Sequence, residues 1–74
     1  MKVTLESTSQ IVNASGIDRR VWEGVTEHGV RVIALIPRLA VKNGQDVSQF
    51  EAELKETRAP SFEAREAYPL RMIL

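Results

Sequence analysis

The clearest pattern in the sequence is a pair of runs rich in β-branched residues that meet at His28 and Gly29. The first run extends from about Ile17 to Thr26, and the second extends from Val30 to about Lys42. Runs of this kind on both sides of a short turn are typical of a β-hairpin. We therefore predict a central hairpin from Ile17 to Lys42, around which the other elements are arranged.

The register of this hairpin depends on the length of its loop. A two-residue loop at His28 and Gly29 sets Val25 opposite Val32, whereas a three-residue loop sets Val25 opposite Arg31. Because apolar cross-strand pairs stabilise a sheet, we predict the two-residue loop, in which both loop residues adopt positive φ. Both faces are then apolar and need a cover. One face carries Trp22, Ile33 and Leu35, and the other carries Val21, Val25, Val32 and Ile36.

Shorter apolar runs precede the hairpin. The segment from Lys2 to Glu6 alternates polar and apolar residues, which is the period of a half-buried strand. Polar residues 7–10 interrupt it before a second short run at Ile11 and Val12. Residues 13–16 have the composition of a turn, and Gly16 can adopt positive φ. We predict a tight reversal there into the first strand of the hairpin.

A helix is predicted after the turn at residues 43–45. Asp46 and Gln49 match a capping box, in which the Asp46 carboxylate accepts a hydrogen bond from the Gln49 amide. Val47, Phe50 and Leu54 fall on one stripe of such a helix. We expect the helix to extend from about Val47 to Arg58, where basic residues suit its C-terminal end and Pro60 follows. Its narrow stripe covers one face of the sheet.

The C-terminal residues complete the predicted domain. The segment from Ser61 to Tyr68 either adds one or two helical turns or stays irregular, and Leu70 to Leu74 alternates like a last strand. Such a strand joins its own sheet or exchanges into a neighbouring chain. The predicted fold class is α+β: one domain over residues 1–74, with a small, strongly curved antiparallel sheet of about four or five strands packed on one α-helix.

Composition narrows the class of protein. A chain of 74 residues buries only roughly 60% of its unfolded surface on folding, so small domains often oligomerise or dock onto larger partners. The chain has no cysteine, which excludes disulfides and thiolate metal sites. Basic and acidic residues number ten each, so net charge does not direct the protein to nucleic acid or to an anionic membrane.

Location and chemistry are constrained mainly by missing signals. No apolar run approaches the roughly 20 residues that span a bilayer, and the first residues lack the apolar segment of a signal peptide. We therefore expect a cytoplasmic protein. The single histidine, His28, is interpreted as a turn residue, and no nucleophile elbow or phosphate-binding glycine motif occurs. We predict no enzymatic activity, catalytic residue, metal, cofactor or small-molecule ligand.

Two surfaces remain as candidates for function. The surplus apolar face predicts an interaction or assembly module that self-associates as a homo-oligomer or docks onto a protein partner; alternatively, the chain covers that face itself and stays monomeric. The runner-up is a nucleic-acid-binding accessory protein that uses an arginine-rich hairpin and one stacking ring. The candidate interface comprises Trp22, Ile33, Leu35, Leu70 and Met72, and the candidate basic stripe comprises Arg19, Arg20, Arg31, Arg38 and Lys42.

The sequence also resembles a group of short uncharacterised proteins encoded in bacteriophages and prophages. The resemblance rests on VTLEST at residues 3–8, RVWEGVTEHGV at 20–30, QFEAEL at 49–54 and PLRMIL at 69–74. It covers nearly the whole chain, but none of these stretches has an assigned chemistry. It implies a bacterial or phage setting, in which small accessory and virion-associated proteins are common, and it assigns no functional residue.

Overall fold

The computed structural model describes residues 1–61 of the protein. They form β1 (Val3–Ala14), β2 (Ile17–Thr26), β3 (Arg31–Ile36) and α1 (Val47–Leu54). The three strands make one antiparallel sheet in the order β1-β2-β3. The prediction of a small α+β fold with a β-hairpin is thus confirmed. The segment from Ser61 to Tyr68, where one or two helical turns were considered, lies outside the described residues apart from Ser61 itself, as does the predicted strand from Leu70 to Leu74.

The first strand is longer than predicted, because the polar residues 7–10 do not end it. From Ser7 to Ile11, β1 advances four residues while β2 advances two, so Thr8, Ser9 and Gln10 form a bulge. The buried Thr8 hydroxyl stabilises this bulge by donating to the carbonyl oxygen of Val21 at 2.7 Å. The two short runs expected from the sequence are therefore one bulged strand.

The turn between β1 and β2 is the predicted tight reversal. Ala14 pairs with Ile17, which leaves a loop of two residues. Both adopt positive φ, with 54° at Ser15 and 78° at Gly16. This is the backbone pattern of the two-residue hairpin turns that match the twist of a sheet.

The hairpin between β2 and β3 has a three-residue loop, so the predicted two-residue loop is wrong. Val25 lies opposite Arg31. The Gly29 amide donates to the Thr26 carbonyl oxygen at 3.0 Å, and the Thr26 amide donates to the Val30 carbonyl oxygen at 2.9 Å. Within the loop only Gly29 adopts positive φ, at 82°. In this loop His28 does not adopt the left-handed conformation. The backbone strain avoided at His28 outweighs the better apolar pairing that the shorter loop would give.

The observed register changes which residues share a face. Trp22 lies opposite Ala34, whereas Glu23 lies opposite Ile33 and Val21 lies opposite Leu35. The prediction that Trp22 shares a face with Ile33 and Leu35 is therefore wrong, because a one-residue slip moves every side chain of β3 to the other face. We call the two sides the Trp22 face and the Glu23 face.

The helix is capped as predicted but is shorter. The Asp46 carboxylate accepts hydrogen bonds from the Gln49 amide at 2.9 Å and from the Ser48 hydroxyl at 2.7 Å. These two bonds hold the pKa of Asp46 below its ordinary value. The helix ends at Leu54, with Lys55 as its C-cap, and does not reach Arg58. Residues 56–61, which we call the strap, instead follow the outer edge of β1. The Ser9 amide donates to the Arg58 carbonyl oxygen there at 2.8 Å.

The described core is thin. Val21 is the one fully buried hydrophobic residue among residues 1–61, and its buried neighbours Thr8 and Glu23 are polar. The helix buries none of its residues completely, and Phe50 is its least exposed side chain. The stripe predicted to cover one sheet face therefore covers it only in part.

Candidate functional site

An open groove of about 270 Å³ lies between α1 and the Trp22 face of the sheet. The size is near the lower limit for small-molecule pockets, and the groove opens to solvent, so its dimensions suit one or two side chains of a larger molecule. Most of its wall is apolar. That wall includes Ile11, Trp22, Ile36, Leu39, Phe50 and Leu54, and charged Asp18, Arg20 and Arg38 line the same groove.

The charged groups of the groove differ in how firmly they are held. Arg20 donates from Nη1 to the Thr8 carbonyl oxygen at 2.8 Å, which fixes its guanidinium against the bulge. Asp18 accepts from Nδ2 of Asn13 at 3.0 Å. Arg38 is exposed and makes no ion pair within the described part of the chain. With two cations and one anion, the groove favours an acidic partner group.

The structure divides the predicted basic stripe between several places. Arg20 and Arg38 line the groove with Trp22. Arg19, next to Arg20 in β2, points to the Glu23 face, because successive side chains of a strand alternate. Arg31 lies opposite Val25 on that same face, and Lys42 is exposed in the loop before α1. The five residues therefore do not form one continuous stripe.

The predicted interface is divided in the same way. Trp22 lines the groove, while Ile33 and Leu35 lie half-buried on the Glu23 face. The two further candidates, Leu70 and Met72, lie outside the described residues. The groove instead gains Phe50 and Leu54 from the helix, two residues that the sequence placed only on a covering stripe.

A second cluster, on the Glu23 face, was not predicted. Glu6 and Glu23 lie directly opposite each other on β1 and β2, an arrangement that destabilises a sheet when nothing neutralises it. Arg58 of the strap provides the neutralising charge. Its Nε donates to Glu6 at 3.1 Å, and its Nη1 forms an ion pair with Glu23.

Glu23 also holds the end of the strap. Its side chain is 10% exposed, and its Oε2 accepts from the Ser61 amide at 2.9 Å and from the Ser61 hydroxyl at 2.8 Å. Burial alone raises the pKa of Glu23, but the hydrogen bonds from Ser61 and Arg58 outweigh that effect and hold the pKa below its ordinary value of 4.5. Glu23 is therefore an ionised, nearly buried anchor.

One signal for this cluster was present in the sequence. Glu23 stands between Val21 and Val25 in the alternation of β2, so apolar residues flank it on its own face of the strand. A carboxylate in such a position requires a cation or several hydrogen-bond donors. The donors are Arg58 and Ser61, which lie 35 and 38 positions further along the chain, so no local sequence pattern predicts them.

The structure also shows where the potential metal ligands and the histidine of the described residues lie. Residues 1–61 contain no group of three or more potential metal ligands. His28 is exposed in the hairpin loop, 3.9 Å from the carboxylate of Glu27.

Comparisons with known proteins place no family on this chain. No protein-family model, curated protein or solved structure gives a significant match. Within residues 1–61, none of the helical structure is long and apolar enough to cross a membrane.

Proposed function

We propose that this protein is a non-enzymatic interaction module that docks a segment of a protein partner in the groove on its Trp22 face. The observation that carries the proposal is the groove itself, in which Trp22, Phe50 and Leu54 present apolar surface to solvent beside Arg38. Aromatic residues and arginine are the types most enriched where binding energy concentrates in protein interfaces.

The charges of the groove indicate what kind of segment it accepts. Arg20 is held by the backbone and Asp18 by Asn13, which leaves Arg38 as the exposed charge best able to meet a ligand. The partner segment should therefore place an apolar side chain against Trp22 and a carboxylate near Arg38. A rim ion pair of this kind contributes more to selectivity and association rate than to affinity.

The experiment exploits the fact that Trp22 is the only tryptophan in the chain. A hydrophobic fluorescent dye is titrated while Trp22 emission is followed, using the wild type, Leu54→Gln and Val47→Gln. Leu54 lines the groove and is 42% exposed, while Val47 lies on the same helix outside the groove and is 53% exposed. We expect Leu54→Gln to weaken dye binding several-fold and Val47→Gln to leave it unchanged.

Two results would contradict the proposal. One is equal loss of dye binding in both helix variants, which would assign the binding to general exposed apolar surface. The other is a wild-type protein that binds no dye and stays a clean monomer by light scattering at high concentration.

The second candidate function is binding of single-stranded nucleic acid. It is favoured by Arg20, Arg38 and Trp22 lining one groove, since a base can stack on the indole while phosphates meet the guanidinium groups. Two phosphate contacts give a logarithmic salt slope of about −1.4 for single strands. An oligonucleotide titration at two salt concentrations distinguishes this function from protein docking, and absence of binding at low salt excludes it.

We infer that the sheet gains a further strand from residues 70–74, whose alternation supports it and which would pair with the outer edge of β3. That edge pairs with no strand among residues 1–61. The resemblance to short phage-encoded proteins supports an accessory or assembly role in a bacterial or phage setting.

A further inference from the structure

We infer that the strap is an exchangeable arm, and that two copies of this protein can bind each other by placing each strap on the partner's Glu6 and Glu23. The partner is thus a second copy of the chain. The surface lies on the Glu23 face, so the inference is independent of the groove and of the function proposed for it.

The carboxylate pair forms a receptor for an arginine that arrives from outside β1 and β2. Glu6 and Glu23 oppose each other across the two strands, and Glu23 is 8% exposed. A buried carboxylate beside a second carboxylate is costly without a cation, and neither β1 nor β2 provides an ion-pair partner for these two groups in the described structure. The site is completed only when Arg58 is seated.

The contacts of the strap with the sheet do not depend on which chain supplies the strap. They connect residues 56–61 to β1 and β2: the Ser7 hydroxyl donates to the Glu56 carbonyl oxygen at 3.3 Å, and the Ser9 amide donates to that of Arg58. The salt bridges of Arg58 and both bonds from Ser61 also end on these strands. A strap from a second copy reproduces each of them, which is the condition for domain swapping.

The connection that must open is short and holds little of the fold. The strap follows directly after Lys55, the C-cap of α1, and the helix buries none of its residues completely. With Val21 as the one fully buried hydrophobic residue of the described part, few apolar contacts oppose release of the segment. The cost of opening is then recovered when the partner's identical strap occupies the site.

A charge-exchange experiment tests the inference on the full-length chain. Glu23→Lys places a lysine near its own Arg58, and Arg58→Glu places a third carboxylate beside Glu6 and Glu23. Each variant is therefore mismatched in its own monomer and in its own swapped dimer. In a mixed, swapped dimer, the two substituted side chains meet at one site as a lysine–glutamate pair, and the native Glu23 and Arg58 meet at the other. We expect native mass spectrometry of the mixture to show a heterodimer at least about tenfold more abundant than either homodimer.

Three comparisons make the result decisive. The chain carrying both substitutions regains an ion pair within itself but loses the two hydrogen bonds that Ser61 donates to Glu23, so it should fold with lower stability than the wild type. Mixing Glu23→Lys with Arg38→Glu, which changes a groove arginine instead, should yield no heterodimer. Adding Leu54→Gln to both partners should leave the heterodimer intact, because the groove is not involved. If the groove variant abolishes dimers instead, the association belongs to the groove and the inference is wrong.

The mixing experiment still gives an answer if neither single variant folds by itself. If the mixture recovers folded structure by circular dichroism as a heterodimer, the inference is supported. If the mixture stays unfolded or monomeric while the double variant folds, strap exchange is overturned. If the double variant also fails to fold, mixed labelled and unlabelled wild-type chains decide: mixed-mass dimers that survive Leu54→Gln support exchange, and their absence at high concentration contradicts it.

Discussion

The two faces of this sheet differ in how the rest of the chain covers them. The Trp22 face lies opposite a helix whose Phe50 and Leu54 line the groove that stays open between helix and sheet. The Glu23 face is joined to a non-helical strap by an ion-pair cluster and by hydrogen bonds from Ser61. One face is apolar and incompletely covered, whereas the other is polar at its centre and tightly connected.

The difference separates the groove, which can accept a partner segment, from the strap contacts, which hold one chain together or join two copies. Apolar contacts are non-directional, so the Trp22 face can release water and bind apolar side chains of different shapes at little cost in free energy. The cluster around Glu23 depends on the geometry of four groups, and removing the cation of Arg58 or the donors of Ser61 leaves the nearly buried Glu23 carboxylate incompletely satisfied. We therefore expect substitutions on the Glu23 face to affect stability and the exchange of the strap between copies, and those on the Trp22 face to affect binding of the partner segment.

The largest expected effect comes from a substitution that separates β1 from β2 and so damages both faces. Gly24 lies opposite Leu5, and a Cβ at this position would overlap the backbone carbonyl of Thr4. Gly24→Ala should lower the free energy of unfolding by about 3 kcal/mol, measured by urea denaturation. Glu27→Ala, an exposed loop change, is the control and should stay within about 0.5 kcal/mol of the wild type. An equally small change in Gly24→Ala would show that the strands do not approach this closely.

A smaller effect, specific to the Glu23 face, is expected from Glu23→Gln. At neutral pH this change should cost about 1 to 2 kcal/mol, because the charge that pairs with Arg58 is lost. The pKa of Glu23 in the folded protein lies below 4.5, so the unfolded state binds a proton more readily. The ionised carboxylate therefore stabilises the fold above about pH 4.5, and this contribution is lost as the pH falls through the lower folded pKa.

The pH profile provides the check on that substitution. The difference in unfolding free energy between wild type and Glu23→Gln should be largest near pH 7 and should shrink as the pH falls below about 4.5. Glu27→Gln, at an exposed position in the loop, serves as the matched control and should show a small difference at every pH. A Glu23→Gln difference that does not change with pH would mean that Glu23 carries no proton-linked stability.

The smallest effect is expected from a substitution in the turn between β1 and β2, which leaves both faces unchanged and stabilises the sheet. Ser15 adopts a φ of 54°, a conformation that costs a serine more than an asparagine or glycine. Ser15→Asn produces the Asn-Gly pair preferred in such turns and should raise the unfolding free energy by roughly 0.5 to 1 kcal/mol. Thermal unfolding measures the gain. Ser9→Asn, an exposed change in β1, is the control. An equal gain in unfolding free energy in both variants would show that the turn conformation is not the cause of the gain.

The sequence predicted the parts of the fold that depend on neighbouring residues. The capping of α1 by Asp46 and the turn at Gly16 follow from contacts within a few positions, and both are present. The hairpin was also predicted, but its register was not. That register depends on the backbone cost at His28, which competes with several cross-strand pairs of similar energy.

The candidate sites show the same division. Trp22 was recognised as a candidate, and it lines the groove together with Phe50 and Leu54. The sequence did not predict which face the helix covers. The cluster around Glu23 was missed, because Arg58 was assigned to the last turn of the helix. Its contact with Glu6 joins residues 52 positions apart, and pairwise contacts of that range leave no periodic signal in a single sequence.

The division into a Trp22 face and a Glu23 face depends on the register of β2 and β3, in which Trp22 lies opposite Ala34 and Glu23 lies opposite Ile33. Given the bond from the Thr26 amide to Val30, alternation along the ladder makes Glu23 and Ile33 a non-hydrogen-bonded pair, in which the α-protons are closest. Nuclear Overhauser spectroscopy of the full chain should show a strong contact between the α-protons of Glu23 and Ile33. A contact joining Glu23 to Ala34, or Trp22 to Leu35, would contradict the division of the faces.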